Sequence, residues 1–140
     1  MHRIRLISVG KTKEEWLDEA IQEYVKRLQP VATFDFIWAK NDEQLQSLAE
    51  KDEAVICLDS SGKMYDSIQF SSFLMKELEK GGARLTFVIG GAEGLPAAMK
   101  ERYPLISLSL MTFTHQVARL ILVEQTYRAF EIAKGSRYHK

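Results

Sequence analysis

Short apolar runs alternate with longer amphipathic segments along the whole chain, and this pattern constrains the fold more than any other feature. Apolar runs without polar interruption are typical of strands buried on both faces of a parallel sheet. Segments with apolar residues at helical spacing predict the helices that connect such strands. The pattern therefore predicts an α/β fold, with a parallel sheet flanked by helices, in which residues 1–140 form a single domain.

Five strands and five helices follow from this pattern. The predicted strands are Arg3–Val9, Thr33–Trp38, Ala54–Leu58, Leu85–Ile89 and Leu105–Leu110. The predicted helices are one between Thr12 and Pro30, then Asp42–Lys51, Ser67–Lys80, a short helix that begins at Pro96, and Gln116–Ala133. Thr12 and Glu15 have the spacing of a capping box for the first helix. Trp16 falls on the same apolar face of that helix as Leu17 and Ile21.

Composition limits the classes of function. Nineteen Lys and Arg balance nineteen Asp and Glu, which argues against avid non-specific binding to nucleic acid but not against recognition of one folded RNA site. The chain has no apolar run long enough to span a membrane and no signal-peptide pattern at its start. Cys57 lies inside an apolar run and is expected to be a buried structural thiol. We therefore expect a cytoplasmic protein.

Three loops that follow predicted strands carry unusual residues, namely 58–62, 89–94 and 108–115. Ligands of open α/β sheets bind beyond the carboxyl ends of the strands. The glycines of the second loop allow a close approach of the backbone to a ligand. Because Gly90 and Gly91 are adjacent and no Lys-Ser/Thr pair follows, the loop matches neither a dinucleotide fingerprint nor a P-loop. The histidines His2, His115 and His139 lack the spacing and cysteine partners of metal ligands, so no metal is expected.

Taken together, these loops resemble a known family. The segments Ile7–Lys11, Phe87–Leu95, Ile106–Gln116, Arg119–Phe130 and Tyr138–Lys140 are similar, in order and spacing, to the bacterial ribosomal large subunit methyltransferase H family of the SPOUT class. The likeness covers nearly the whole chain.

Two departures from the family pattern stand out. The family usually has proline where this chain has Thr114, which predicts a looser loop before His115. The region between Trp38 and Ala54 is also shorter than is usual in the family.

The resemblance implies a single-domain SPOUT fold, an α/β knot in which the C-terminal segment passes through a preceding loop as a trefoil knot. It implies a homodimer that uses S-adenosylmethionine (SAM) to methylate N3 of a pseudouridine in 23S rRNA, on the assembled ribosome. The residues that it implies for SAM binding are Leu58, Gly90, Leu108, Ser109, Leu110, Met111, Thr112 and Phe113. Apolar side chains among them could form a flat slot for adenine.

Four residues are candidates for the chemistry. His115 and Arg119 are four positions apart and so share a face of the last helix if His115 begins it. Arg119 is predicted to neutralise charge that develops on the base or to hold a phosphate. His115 is predicted either to accept the N3 proton or to hold the knot by a hydrogen bond. In the basic tail, Tyr138 is predicted to stack on a base and His139 to contact phosphate.

Other interpretations stay open on the sequence. A SPOUT enzyme that acts on tRNA or on another rRNA position would share most of these motifs. A flavodoxin-like or nucleotide-binding α/β protein is disfavoured by the missing phosphate motifs. A dimeric binding protein without catalytic activity would keep SAM binding but not turnover.

Overall fold

The computed structural model, which describes residues 1–140, has five strands and five helices in the predicted alternation. The strands are β1 (His2–Val9), β2 (Ala32–Ala39), β3 (Val55–Met64), β4 (Arg84–Ile89) and β5 (Leu105–Ser107). The helices are α1 (Glu15–Leu28), α2 (Asp42–Ala49), α3 (Ser67–Lys80), α4 (Ala97–Arg102) and α5 (His115–Ala133). The predicted α/β class is confirmed.

All strand pairs are parallel, and the strand order is β2-β1-β4-β3-β5. The carboxyl ends of the strands therefore lie along one edge of the sheet. The strands β1 and β4 are neighbours at the centre of the sheet, but the chain leaves them towards opposite edges. From β1 it continues through α1 to β2, and from β4 it continues through α4 to β5. Such a switch point leaves a crevice above the sheet edge, and this is where ligands of open α/β sheets bind.

The strands are buried on both faces by helices. One core cluster packs α1, α3 and α5 against the sheet and includes Leu6 and Phe87. The other packs α2 and α4 against the opposite face and includes Ile7, Cys57 and Val88. Side chains at neighbouring positions of one strand thus pack into the cores on opposite faces of the sheet, because successive side chains of a strand point to opposite faces. The prediction that Cys57 is buried is confirmed, and burial raises the pKa of its thiol to about 12.

The beginning of α1 differs from the prediction. The helix begins at Glu15, its N-cap is Glu14, and no side chain caps it. The hydroxyl of Thr12 instead accepts a hydrogen bond from Arg119 Nη1 at 3.1 Å. Trp16 was expected on the buried face, but its side chain is 61% exposed. The capping box and the burial of Trp16 are therefore wrong, because the first turn of α1 lies over the crevice and not over the core.

Strand β3 is longer than predicted and wraps around β5. Leu58 and Lys63 both pair with Ile106, and the residues between them bulge away from the ladder. A Cβ atom on Gly62 would lie 2.6 Å from the backbone of Ile106, so only glycine allows this approach. A chain segment that closes around a strand in this way is consistent with the C-terminal knot, which stays a prediction.

Candidate active site

A cleft of about 970 Å³ opens at the switch point above the carboxyl ends of the strands. Its walls come from five parts of the chain: the start of α1, the end of β3, the loop after β4, α4 through Lys100, and the segment from Ser107 into α5. These parts are distant in sequence and meet because parallel strands end at one edge. The volume is at the upper end of the range for small-molecule and cofactor sites.

Most of the residues predicted to bind a cofactor line this cleft. They are Leu58, Gly90, Leu108, Ser109, Met111, Thr112 and Phe113. Leu110 does not line it, and its side chain is 81% exposed. The structure therefore does not bring the Leu110 side chain to an adenine slot. The side chain of Met111, which is 75% exposed, lies on the cleft without any cover from the protein.

The glycine loop after β4 closes on itself. Gly94 N donates to Gly91 O at 3.0 Å, and Gly94 has φ +87°, a backbone conformation that favours glycine. A Cβ atom on Gly90 would lie 2.5 Å from the carbonyl carbon of Gly94. Gly90 is thus required for the loop to fold back and leave the floor of the cleft open.

The loop between β5 and α5 is held by short polar contacts. Ser107 Oγ donates to Ser109 O at 2.8 Å, and Met111 N donates to Ser109 Oγ at 3.0 Å. Thr114 is the N-cap of α5, and its hydroxyl accepts from Val117 N at 3.1 Å. Thr114 therefore restrains the end of the loop through its cap, and the looser loop expected without proline stays a prediction.

An ion pair at the wall of the cleft was missed by the sequence reasoning. Lys100 Nζ lies 3.4 Å from Asp59 Oδ1, and both residues line the cleft. Burial of Asp59 opposes its ionisation, but hydrogen bonds from Ser61 and the charge of Lys100 outweigh it and lower the pKa of the carboxyl. The position of Asp59 directly after an apolar strand was the signal that could have identified it. Glu14 and Glu93 add two further carboxylates.

Arg119 is completely buried and does not face the cleft. Its Nε and Nη2 donate to Ser8 Oγ at 3.0 and 2.9 Å, and Nη2 also reaches Val9 O at 2.9 Å and Gly10 O at 2.7 Å. Nη1 donates to Thr12 Oγ1 and to Gln116 Oε1, each at 3.1 Å. All five N–H groups of the guanidinium are therefore engaged within the protein.

The environment of this arginine is neutral. No carboxylate pairs with it, and the guanidinium carbon lies 4.7 Å from the centre of the Trp38 ring. Burial lowers the pKa of Arg119 to about 10. Arg119 consequently has no donor left for a phosphate or a substrate oxygen, so the predicted contact with a phosphate is corrected: the side chain ties the end of β1 to the first turns of α5.

His115 lines the cleft at the first position of α5. It lies one residue before the predicted beginning of the helix, and the expectation that it shares α5 with Arg119 is confirmed. Its Nε2 lies 3.5 Å from Gln116 Nε2. Burial lowers the pKa of His115, and the positive charges of Arg119 and Lys13 lower it further. The imidazole is therefore neutral at pH 7.

The C-terminal tail packs on α5 and not in the cleft. Tyr138 Oη donates to Glu124 Oε2 at 2.8 Å, and Arg128 Nη1 lies 3.1 Å from His139 Nδ1. Arg128 Nη2 also donates to Glu124 Oε2 at 2.8 Å, as opposite charges four positions apart on a helix commonly do. Burial and the hydrogen bond to Glu124 raise the pKa of Tyr138.

Within one chain the tail and the cleft are separate. Glu124, the partner of Tyr138, follows His115 by nine positions on α5, which is about 14 Å at 1.5 Å per residue. Neither Tyr138 nor His139 lines the cleft. The structure therefore brings His115 to the predicted cofactor residues, but it does not bring the two tail residues to them.

Two further observations concern other classes of site. No group of three or more His, Cys, Asp and Glu side chains is placed to hold a metal ion. None of the helices has the length and apolar character needed to cross a membrane.

Comparison of the sequence with known families and proteins gives consistent results. Residues 2–139 match a family model described as "Predicted SPOUT methyltransferase". The chain is 54% identical, over the full length of both chains, to the ribosomal RNA large subunit methyltransferase H of Protochlamydia amoebophila. It is 39% identical to the proteins of the same name from Symbiobacterium thermophilum and Streptococcus mutans, over 99% of each chain.

Comparison with solved structures shows the same fold at low sequence identity. A structure titled for 2-OH methylation of C/U34 on tRNA matches with a TM-score of 0.53 and 11% identity, over 96% of this chain and 98% of that one. TrmJ from Z. mobilis matches with a TM-score of 0.56 and 7% identity, over 92% of this chain and 70% of that one. At these identities the likeness concerns the fold alone.

Proposed function

Because the chain belongs to the SPOUT methyltransferase family, within its ribosomal RNA large subunit methyltransferase H branch, we propose that it methylates N3 of a pseudouridine in 23S rRNA with SAM as methyl donor. The observation that carries the proposal is the cleft: seven of the eight residues that the resemblance implies for SAM line one cavity at the switch point of the sheet. This reaction belongs in the cytoplasm, where ribosomes are assembled and used.

The cleft fits SAM in size and in chemistry. Leu58, Leu108, Met111 and Phe113 supply apolar walls suited to adenine. Asp59 and Lys100 supply charges of both signs, suited to the ammonium and carboxylate of an amino acid. Glycines 90, 91 and 94 leave backbone accessible on the same wall. When bound, SAM supplies a methyl group on a sulfonium, which is electrophilic.

The chain must contribute orientation and control of one proton. N3 of pseudouridine carries an imide proton, so this proton has to leave before or during methyl transfer. Alignment of the nitrogen with the methyl carbon and the sulfur can contribute several orders of magnitude to the rate. His115 is the imidazole that lines the cleft, and it is neutral at pH 7. The target base has to lie in an accessible loop or be flipped out of its stack.

We further propose that the site is completed in a homodimer by the tail of the partner. Tyr138 and His139 pack on Glu124 and Arg128, which lie about 14 and 20 Å along α5 from His115 of the same chain. The tail is basic and aromatic, which suits contacts with bases and phosphates. Only a second copy of the chain can place such a tail over the cleft without displacing it from its own helix.

Complementation between two variants tests the composite site. One variant lacks residues 137–140, and the other carries Thr112→Arg, a substitution that obstructs the cleft and is verified by loss of SAM binding. If the tail serves the partner's cleft, each variant alone is inactive and mixed dimers regain activity, because one intact cleft meets one intact tail. Mixed dimers that stay inactive would refute the arrangement, as would full activity of the tail-deleted variant.

The absence of net charge suggests how the target is recognised. A net charge of zero supplies little non-specific affinity for RNA. Recognition is then delegated to the surface of the assembled ribosome, which presents the target pseudouridine to the dimer.

Methyl transfer from radiolabelled SAM to whole ribosomes, separated subunits and naked rRNA tests the function. Each substrate is prepared from cells that lack the equivalent enzyme. Label confined to a 23S pseudouridine in whole ribosomes is the expected result. Equal labelling of naked rRNA would contradict recognition by the assembled surface. No label on any of the three, with SAM bound normally, would refute the proposed target and direct the search to tRNA.

A further inference from the structure

A chain of hydrogen bonds links Thr12, in the segment before α1, to three side chains of α5, namely Arg119, Gln116 and His115. The direction of each bond follows from the one before. A guanidinium donates and never accepts, so the atom of Gln116 that lies 3.1 Å from Arg119 Nη1 must be the amide oxygen. The other Nη1 hydrogen is used by Thr12 Oγ1 at 3.1 Å. Arg119 is completely buried and every donor is engaged, so its side chain is held in place beside Gln116.

The orientation of the Gln116 amide then determines the proton on His115. With its oxygen turned to Arg119, Gln116 presents Nε2 to Lys11 O at 3.2 Å and to His115 Nε2 at 3.5 Å. An amide nitrogen only donates, so His115 Nε2 has to be an unprotonated acceptor. A neutral imidazole with an unprotonated Nε2 carries its proton on Nδ1.

We propose that Arg119 and Gln116 are positioning residues that present His115 to the cleft as a neutral hydrogen-bond donor, through Nδ1–H. Since Nε2 is engaged by Gln116, Nδ1–H is the polar group of the ring left for a ligand in the cleft. The partner that fits a neutral donor is a carbonyl oxygen. This inference rests on the proposed function, in which the imide has two such oxygens flanking N3.

The assignment gives His115 a role different from that of a proton acceptor. As N3 loses its proton to water of the solvent, negative charge spreads onto the flanking carbonyl oxygens of the imide. A fixed donor to one of these oxygens stabilises the charge as it forms, in the manner of an oxyanion hole. Burial lowers the pKa of His115, and the positive charges of Arg119 and Lys13 lower it further; the same charges favour negative charge nearby.

Nuclear magnetic resonance of protein labelled with ¹⁵N-histidine tests the tautomer directly. The resonances of His115 are identified by their loss in a His115→Gln variant, which separates them from His2 and His139. Near pH 7 the expected spectrum has a protonated Nδ1 and an unprotonated Nε2. A protonated Nε2, or an imidazolium at this pH, would overturn the proposal.

Gln116→Glu is the decisive variant. A carboxylate still accepts from Arg119 but has no hydrogen to donate, so His115 is expected to move its proton to Nε2 and to titrate at higher pH. Methyl transfer should fall about a hundredfold, as on removal of an oxyanion-hole donor. Gln22→Glu, the same substitution at an exposed position of α1, is the matched control and should leave the spectrum and activity unchanged. If the histidine spectrum of Gln116→Glu is like that of the wild type, Gln116 does not determine the tautomer of His115, and the proposal is refuted.

The two proposals fail separately. If wild-type His115 carries its proton on Nδ1 but no ribosomal substrate is methylated, the proposed tautomer is retained and the proposed function is rejected. If the protein transfers the methyl group but His115 carries its proton on Nε2, the proposed function is retained and the proposed tautomer is rejected.

Discussion

Replacement of Arg119 by methionine should destabilise the protein more than replacement of any surface arginine. The substitution keeps an unbranched chain of similar length but removes every donor from a buried site. Ser8 Oγ, the carbonyl oxygens of Val9 and Gly10, and Thr12 Oγ1 would then lose their partner. Each buried polar group left unsatisfied costs about 1–3 kcal/mol, and partial relaxation or entry of water reduces the sum.

We therefore expect the free energy of unfolding to fall by about 3–5 kcal/mol, which is the cost of these unsatisfied groups after relaxation and entry of water. In a domain of this size, each kcal/mol lowers the melting temperature by about 3–5 °C, so the midpoint should fall by at least about 10 °C. Urea denaturation followed by circular dichroism gives the free energy, and a thermal scan gives the midpoint. Arg119→Lys keeps the charge but only some of the N–H donors, so its free energy of unfolding should lie between those of the wild type and Arg119→Met.

Arg27→Met is the matched control. Arg27 is also on a helix, also lies over an aromatic ring, at 5.1 Å from the centre of Tyr24, and is paired with Glu23 at 2.7 Å. Its ion pair is exposed, so the loss should stay below about 1 kcal/mol. An Arg119→Met protein within about 1 kcal/mol of the wild type, or equal to Arg27→Met, would refute the claim that the buried network holds the end of β1 to α5.

Three further predictions concern single positions. Gly62→Ala should cost at least about 2–3 kcal/mol in urea denaturation, because the added Cβ meets the backbone of Ile106 at 2.6 Å; a loss below about 0.5 kcal/mol would show that β3 does not wrap β5 so closely. Thr114→Ala should cost about 1 kcal/mol through the lost cap of α5, and a melting temperature equal to that of the wild type would contradict the cap. Cys57 should not react with a thiol reagent until the protein unfolds. Because its folded pKa of about 12 is above the unfolded value, the folded state holds the proton longer, and stability should fall as pH rises from about 9 towards 12; Cys57→Ala should lack this decline.

Much of the fold follows from local patterns. The bounds of α3 were predicted to the residue, and those of β1 and β4 to within one residue, because apolar periodicity and turn residues act over a few neighbouring positions. The family is also identified from sequence alone, by the order along the chain of three matching segments: the glycine loop, the loop before α5 and the tail. The glycines and the small polar residues of these loops are visible in the sequence because their backbone geometry restricts which residues can occupy them.

Some predictions failed where local pattern and tertiary position compete. The Thr12–Glu15 spacing is that of a capping box, but Thr12 is drawn to Arg119, more than one hundred positions along the chain. Trp16 has the periodicity of a core residue, but the turn that carries it lies over the cleft. Leu110 belongs to the matching loop, yet its side chain turns outward.

The sequence by itself determined the class of fold, the family and three of the five segments that form the cleft. Only the tertiary structure decided that Arg119 is a buried support and not a substrate contact, that Asp59 meets Lys100, and that the tail lies too far from its own cleft to serve it. The physical reason is that secondary structure depends on neighbours a few residues away. The role of a charged side chain depends on which distant groups surround it and exclude water, and that is determined only when helices and strands pack together.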